Sequence, residues 1–126
     1  MLTRVARSIS VHVGFAFLAM GGWALFANRA HGAAALGPAL AQGTMSGVIT
    51  LILKRALEAL AARLSGPAAY VLPPLATASV ILLVLVGVHR LIGTPEIAAT
   101  IAVPWSVSML YAIVYAATLA RDRARA

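Results

Sequence analysis

Hydroxyl, amide and basic side chains recur at helical intervals within stretches that are otherwise apolar. They are the groups in this chain that could do chemistry. Gln42, Ser46, Thr50, Lys54 and Glu58 follow one another every four residues, a spacing that stacks side chains on one helix face. Thr100, Ser108, Tyr111, Tyr115 and Thr118 form a second such line, with Pro104 between its first two members. Proline has no N–H to give and crowds the carbonyl four residues back, so Pro104 frees the Thr100 carbonyl and kinks its helix. Two such lines can join helices by hydrogen bonds. They can also form a polar track for the head group of an amphiphilic substrate whose tail stays in lipid. A third group is basic: Arg29, His31, His89 and Arg90, with Glu96, occupy two short polar stretches. Two guanidiniums beside two imidazoles can grip a phosphate or carboxylate, because the planar fork of arginine matches such anions. The same residue types also serve as anchors at a membrane boundary.

Other chemistry is poorly supplied. The chain has no cysteine, which removes disulfides, thiolate metal sites and thiol nucleophiles. A metal site would have to draw on His31, His89 and Glu96, without the paired spacing that metal ligands show, while His12 falls at the opposite face. The acids are Glu58, Glu96 and Asp122, none within the core of an apolar stretch, and no G-x-S-x-G motif occurs. No enzyme activity, metal or cofactor is expected.

The elements that must position these groups are membrane helices. Hydrophobic residues make up 62% of the 126-residue chain and charged residues 10%, against the quarter or so that a soluble domain carries. The spans predicted are about 9–27, 33–53, 69–88 and 97–119, each close to the roughly 20 residues that cross a hydrocarbon core. The first thirty residues also fit a signal peptide, with Arg4 and Arg7 before an apolar run. That run is long enough to span and three more follow it, so it reads as the first transmembrane helix. In lipid every backbone group must be satisfied internally, and four strands could not close a barrel. The fold expected is therefore all-α: a single domain of four transmembrane helices in an antiparallel bundle.

Eight of the ten Lys and Arg residues fall before the first span, between the second and third, or after the fourth. Basic residues near span ends are retained on the cytoplasmic side, which predicts both termini inside, Arg29 and Arg90 outside. The basic residues flank apolar segments instead of forming a stripe with aromatics, which speaks against nucleic acid and for anionic lipid head groups. Arginine outnumbers lysine nine to one and alanine is abundant. That composition suggests a GC-rich bacterial genome, and hence the inner membrane.

The second helix carries the most information. Ala35, Ala39, Gly43 and Gly47 form a small-residue seam at four-residue spacing, including a GxxxG pair, along which another helix can approach closely. Beyond the span, Leu53, Leu57, Leu60 and Leu64 continue an apolar stripe among Lys54, Arg55, Glu58 and Arg63 until Ser65, Gly66 and Pro67 end it. A continuous helix over 33–64 would be roughly 48 Å long at ~1.5 Å per residue, so residues 54–64 are expected to project into the cytoplasm or lie on the inner surface. Pro38 is expected in the first turns of the second helix, and Pro73 and Pro74 in those of the third. From Val80 to Val88 the third helix is almost uninterrupted Val, Ile and Leu, which suits a lipid face. Basic residue, histidine and glycine recur in both outer loops, a faint two-hairpin repeat.

In length and span number the chain resembles the small multidrug exporters, though it lacks their membrane-embedded glutamate. It also resembles the small four-span proteins associated with moving polyprenyl-linked sugars. A four-helix bundle fills its interior with side chains, so any transport route must follow a groove or a subunit interface. The leading expectation is a small inner-membrane transporter or flippase component for an anionic or amphiphilic, lipid-linked substrate. Arg29, His31, His89 and Arg90 would engage the head group; Gln42, Ser46, Thr50, Thr100, Ser108, Tyr111 and Tyr115 would line the track; Ala39, Gly43, Gly47 and Pro104 would shape the packing. The alternative is a non-enzymatic accessory or assembly subunit of a larger membrane complex. The partners expected are membrane lipids and either further copies of the chain or a larger membrane protein.

Overall fold

A computed structural model describes residues 2–126. Its helices are α1 (Leu2–Ala27), α2 (Leu36–Ala61), α3 (Ala68–Leu91) and α4 (Ile97–Arg125), with a 3-10 segment, Arg29–Ala35, before α2. No strand occurs among the described residues. Four stretches are long and apolar enough to cross a membrane: Arg7–Ala27, Arg29–Ala61, Ala68–Leu91 and Ile97–Arg125. Their outer faces agree with a lipid solvent. Phe15, Leu18 and Leu83 are more than 70% exposed, a pattern that would leave large apolar patches against water.

The helices pair as two hairpins, α1 with α2 and α3 with α4, and α2 and α4 also touch each other. Among the described residues α1 and α3 make no contact. The bundle is therefore a rhombus in cross-section, with α2 and α4 on the short diagonal. The α1–α2 and α3–α4 turns lie at one end, called here the hairpin end. The chain termini and the α2–α3 turn lie at the other, the terminal end.

The α1–α2 contact follows from the glycines. A Cβ built on Gly43 would stand 2.9 Å from the Phe17 carbonyl oxygen, one on Gly21 would stand 3.0 Å from the Ala39 oxygen, and one on Gly47 would meet Val13 at 3.3 Å. Backbones this close gain van der Waals contact along the seam, which drives association where lipid removes the hydrophobic force. Gly43→Ala is expected to push α1 outward and lower stability by about 1–2 kcal/mol, within the usual cost of overpacking. Equilibrium unfolding in mixed detergent micelles measures it.

The core below the hairpin end gathers Leu53 and Leu57 of α2, Ile81 and Leu85 of α3, and Ile101 and Ala112 of α4. Pro73 and Pro74 lie in the second turn of α3, which begins at Ala68, as expected. Two features differ from the sequence reading. The α3 stretch Val80–Val88 faces lipid only in part: Val80, Leu83 and Val84 are exposed, while Ile81 and Leu85 are buried. The segment following Leu53 does not stand alone. Leu57 is fully buried, α2 ends at Ala61, and α4 runs beside it to Arg125. There Arg123 donates to the Ala61 carbonyl and Tyr115 to Glu58.

Candidate functional site

Apart from Thr77, the buried polar groups lie toward the hairpin end, and local chain geometry sets them there. Helix α3 runs to Leu91, and Gly93 takes a positive φ of 71°. The turn closes with Gly93 N–H on the Arg90 carbonyl at 3.2 Å and Thr94 N–H on the His89 carbonyl at 2.9 Å. This is a Schellman ending, in which glycine avoids the steric cost of the left-handed conformation. It folds Thr94 back over His89. Gly93→Ala should therefore lower stability by about 1 kcal/mol through strain at that residue, and thermal unfolding in detergent reads the loss.

Within that turn the Thr94 hydroxyl lies 2.7 Å from His89 Nδ1, His89 Nε2 lies 2.9 Å from Gln42 Oε1, and Gln42 Nε2 donates to Ser46 Oγ at 3.0 Å. Gln42 Oε1 can only accept, so Nε2 of His89 carries the proton and Nδ1 accepts from the threonine. His89 and Gln42 are fully enclosed, and Thr94 and Ser46 nearly so. The chain of bonds runs from the α3–α4 turn through α3 into α2. Both imidazole nitrogens are committed, which leaves the ring neither as a free base nor as a ligand.

A second buried set crosses from α1 to α4. Asn28 donates from Nδ2 to Thr100 Oγ1 at 2.7 Å and to the Ala24 carbonyl at 2.8 Å, while its Oδ1 accepts from the Glu96 N–H at 3.0 Å. The Thr100 hydroxyl in turn donates to the Glu96 carbonyl. The first amides of a helix have no partner within it, so Asn28 closes the start of α4 from the turn that follows α1. Nearby, Trp23 donates to the Ala99 carbonyl at 2.8 Å. That carbonyl is one residue before Thr100, on the turn that Pro104 loosens. Among the described residues no buried side-chain nitrogen or oxygen lacks a partner.

No protein-family model, curated protein or solved structure matches the chain. Its residues must speak for themselves.

The structure brings some of the expected site residues together and separates others. Gln42, Ser46 and His89 meet, and Thr94 completes their set. Thr50 is exposed and donates to the Ser46 carbonyl at 2.8 Å. Thr100 is buried with Asn28. Ser108 is partly buried further along α4. Tyr111 and Tyr115 stack with ring centroids 5.5 Å apart, and Tyr115 donates to Glu58 Oε1 at 2.6 Å, toward the terminal end. The α2 line thus turns to α3 at the hairpin end, and the α4 line meets α2 only near Glu58. Leu53, Leu57, Ile101 and Ala112 occupy the core between, so the two lines share no polar cavity.

The expected basic rim is divided as well. His89 is sealed inside. Arg29 stacks on Phe26, 4.0 Å from the ring centroid, and donates to the Phe26 carbonyl at 2.9 Å. His31 Nε2 lies 3.1 Å from Glu96 Oε1, both exposed, and Arg90 is exposed. Ala39, Gly43 and Gly47 lie along the α1 contact described above, and Pro104 is buried in α4. Among the described residues no cluster of His, Cys, Asp and Glu could hold a metal ion.

Sequence reasoning missed Asn28, Thr94 and Trp23 as structural partners. Thr94 carried a signal: it follows the glycine that ends α3, where a Schellman turn returns the next residue to the last helical turn. Asn28 and Trp23 bond to partners 68 to 76 residues away, beyond any local pattern.

Proposed function

We propose that the protein is a non-enzymatic accessory or assembly subunit of the membrane, which docks a partner transmembrane helix along α1. The observation that carries this reading is the outer face of α1. Val11, Phe15, Leu18, Gly22 and Leu25 alternate at spacings of four and three and are all exposed. That alternation is the seam of a left-handed helix pair, the commonest packing of membrane helices. The committed bonds of Gln42, His89 and Asn28 support the same reading, since they suit a rigid scaffold better than a moving track. Cross-linking tests it. Cysteine at Phe15 or Leu18 should give one stoichiometric adduct in native membranes, and cysteine at Leu83 on the outward face of α3 should give none. Equal yields at all three positions would count against a specific docking face.

A transporter or flippase component is the second reading, favoured by exposed Arg90 and the His31–Glu96 pair at the hairpin end. Its route would follow the bundle surface or the junction between copies. Reconstituted vesicles decide it: lipid scrambling above the protein-free rate, lowered by Arg90→Ala, supports transport. A rate equal to that of empty vesicles removes it.

A further inference from the structure

The surface between α2 and α3 is left open toward lipid. Ile49, Ile52, Ala56 and Leu60 on one side, with Ala76 and Val80 on the other, line an apolar groove of about 440 Å³. The alanines keep it deep, and the Thr77 hydroxyl beside it is turned to the Pro73 carbonyl at 2.9 Å. Along α2 the lining runs from Ile49 to Leu60, a rise of roughly 16 Å at ~1.5 Å per residue. That is about half of a ~30 Å hydrocarbon core, or one leaflet. A helix from another chain would need a groove through both leaflets, whereas an acyl chain needs only one.

Two arginines flank this groove on its α2 side, Arg63 just beyond its terminal end and Arg55 part-way along its edge. Arg63 follows Ala56, Ala59 and Leu60 by seven, four and three positions, which places it on the groove face. The chain stays helical through Ala62 (φ −60°, ψ −22°), and Arg63 N–H bonds the Leu60 carbonyl at 3.1 Å. Arg55 lies three residues after Ile52 and four before Ala59, on the border of the same face. Both arginines are exposed, and among the described residues neither guanidinium makes a hydrogen bond or ion pair. The nearest acid along α2, Glu58, is already engaged by Lys54 at 3.8 Å and by Tyr115. The terminal half of the groove is therefore bordered by two uncompensated positive charges, whose guanidinium forks match a phosphate.

We propose that the groove binds an acyl chain of an anionic phospholipid, with Arg63 holding its phosphate and Arg55 extending along the groove edge toward the same head group. The site is about one leaflet deep, lined by apolar residues and basic toward its terminal end, which is the charge and polarity profile of such a lipid. It is separate from the α1 face and stands whether or not that face docks a partner.

Native mass spectrometry of the full chain, released from nanodiscs of mixed dioleoylphosphatidylglycerol and dioleoylphosphatidylcholine, tests this directly. The unaltered chain should retain phosphatidylglycerol in preference to phosphatidylcholine. Arg55→Gln with Arg63→Gln should lower that preference roughly tenfold or more, given what each basic residue contributes near an anionic surface. Ala56→Trp, which fills the groove and keeps both charges, should remove the retained lipid. Arg4→Gln with Arg7→Gln, exposed basic residues at the same end but on α1, which among the described residues does not touch α3, should change nothing. Equal retention of the two lipids, or unchanged retention in either groove variant, overturns the proposal. So does disulfide linkage of two copies through Ala56→Cys without bound lipid, which would assign the groove to a second chain.

Discussion

Asn28→Ala is expected to cost about 3 kcal/mol of stability, the largest loss for any single substitution, because it strands more than one partner at once. The part-buried Glu96 N–H loses its acceptor, and the fully buried Thr100 hydroxyl loses a donor. A helix cap alone is worth about 1 kcal/mol. The remainder comes from the orphaned partners and from the cavity. Asn28→Asp is a sharper control: it keeps the acceptor for Glu96 but loses the amide that donates to Thr100 and Ala24. It should fall between the native chain and alanine. Equilibrium unfolding in mixed micelles measures both, and an alanine variant within 0.5 kcal/mol of native, the usual scatter of neutral sites, would show that Asn28 does not hold the bundle.

Gln42→Leu is expected to cost about 2 kcal/mol, again because removing one partner of a buried pair costs more than the pair contributes. Interhelical hydrogen bonds in membrane proteins average only about 0.6 kcal/mol in double-mutant cycles, so the bond itself is a minor part. The larger part is the His89 Nε2–H left facing a leucine, with Ser46 losing its donor on the other side. The decisive measurement is the cycle. His89→Leu alone should also destabilise, and Gln42→Leu with His89→Leu should recover part of the loss, since the Gln42–His89 contact itself then buries no unmet polar group, while Ser46 and Thr94 still lose their partners. Strict additivity of the two single losses would mean the residues are not coupled, contrary to their 2.9 Å contact.

How much of this was legible before the structure depends on the range of each interaction. Four helices follow from the apolar stretches alone, because a span of about 20 residues has one way to satisfy its backbone in lipid. The small-residue seam around Gly43 is equally local, as four-residue spacing defines a face without reference to any partner. The setting of that face is what the sequence withheld. Once Gly43 and Gly47 lie against α1, Gln42 points about 100° away, one residue round the helix. It then meets His89 of α3 and not the hydroxyls of α4. The two polar lines were visible and their pairing was not. A lipid-facing α3 was misjudged for a related reason: Ile81 and Leu85 differ from Leu83 and Val84 in rotation, not in type, and composition cannot tell buried leucine from leucine in acyl chains. Asn28 was legible only as a loop residue, since all it holds on α4 lies at least 68 positions further along the chain.

The rhombic cross-section gives the order of synthesis a meaning. While the ribosome is still making the second hairpin, the first can already mate along its glycines, since α1 needs nothing from α3. Asn28, however, has no counterpart on α4 until Glu96 and Thr100 arrive. The final helix is thus the latch of the assembly, and a nascent chain stalled before it would leave the Asn28 carboxamide without the two partners that tie the first hairpin to the second.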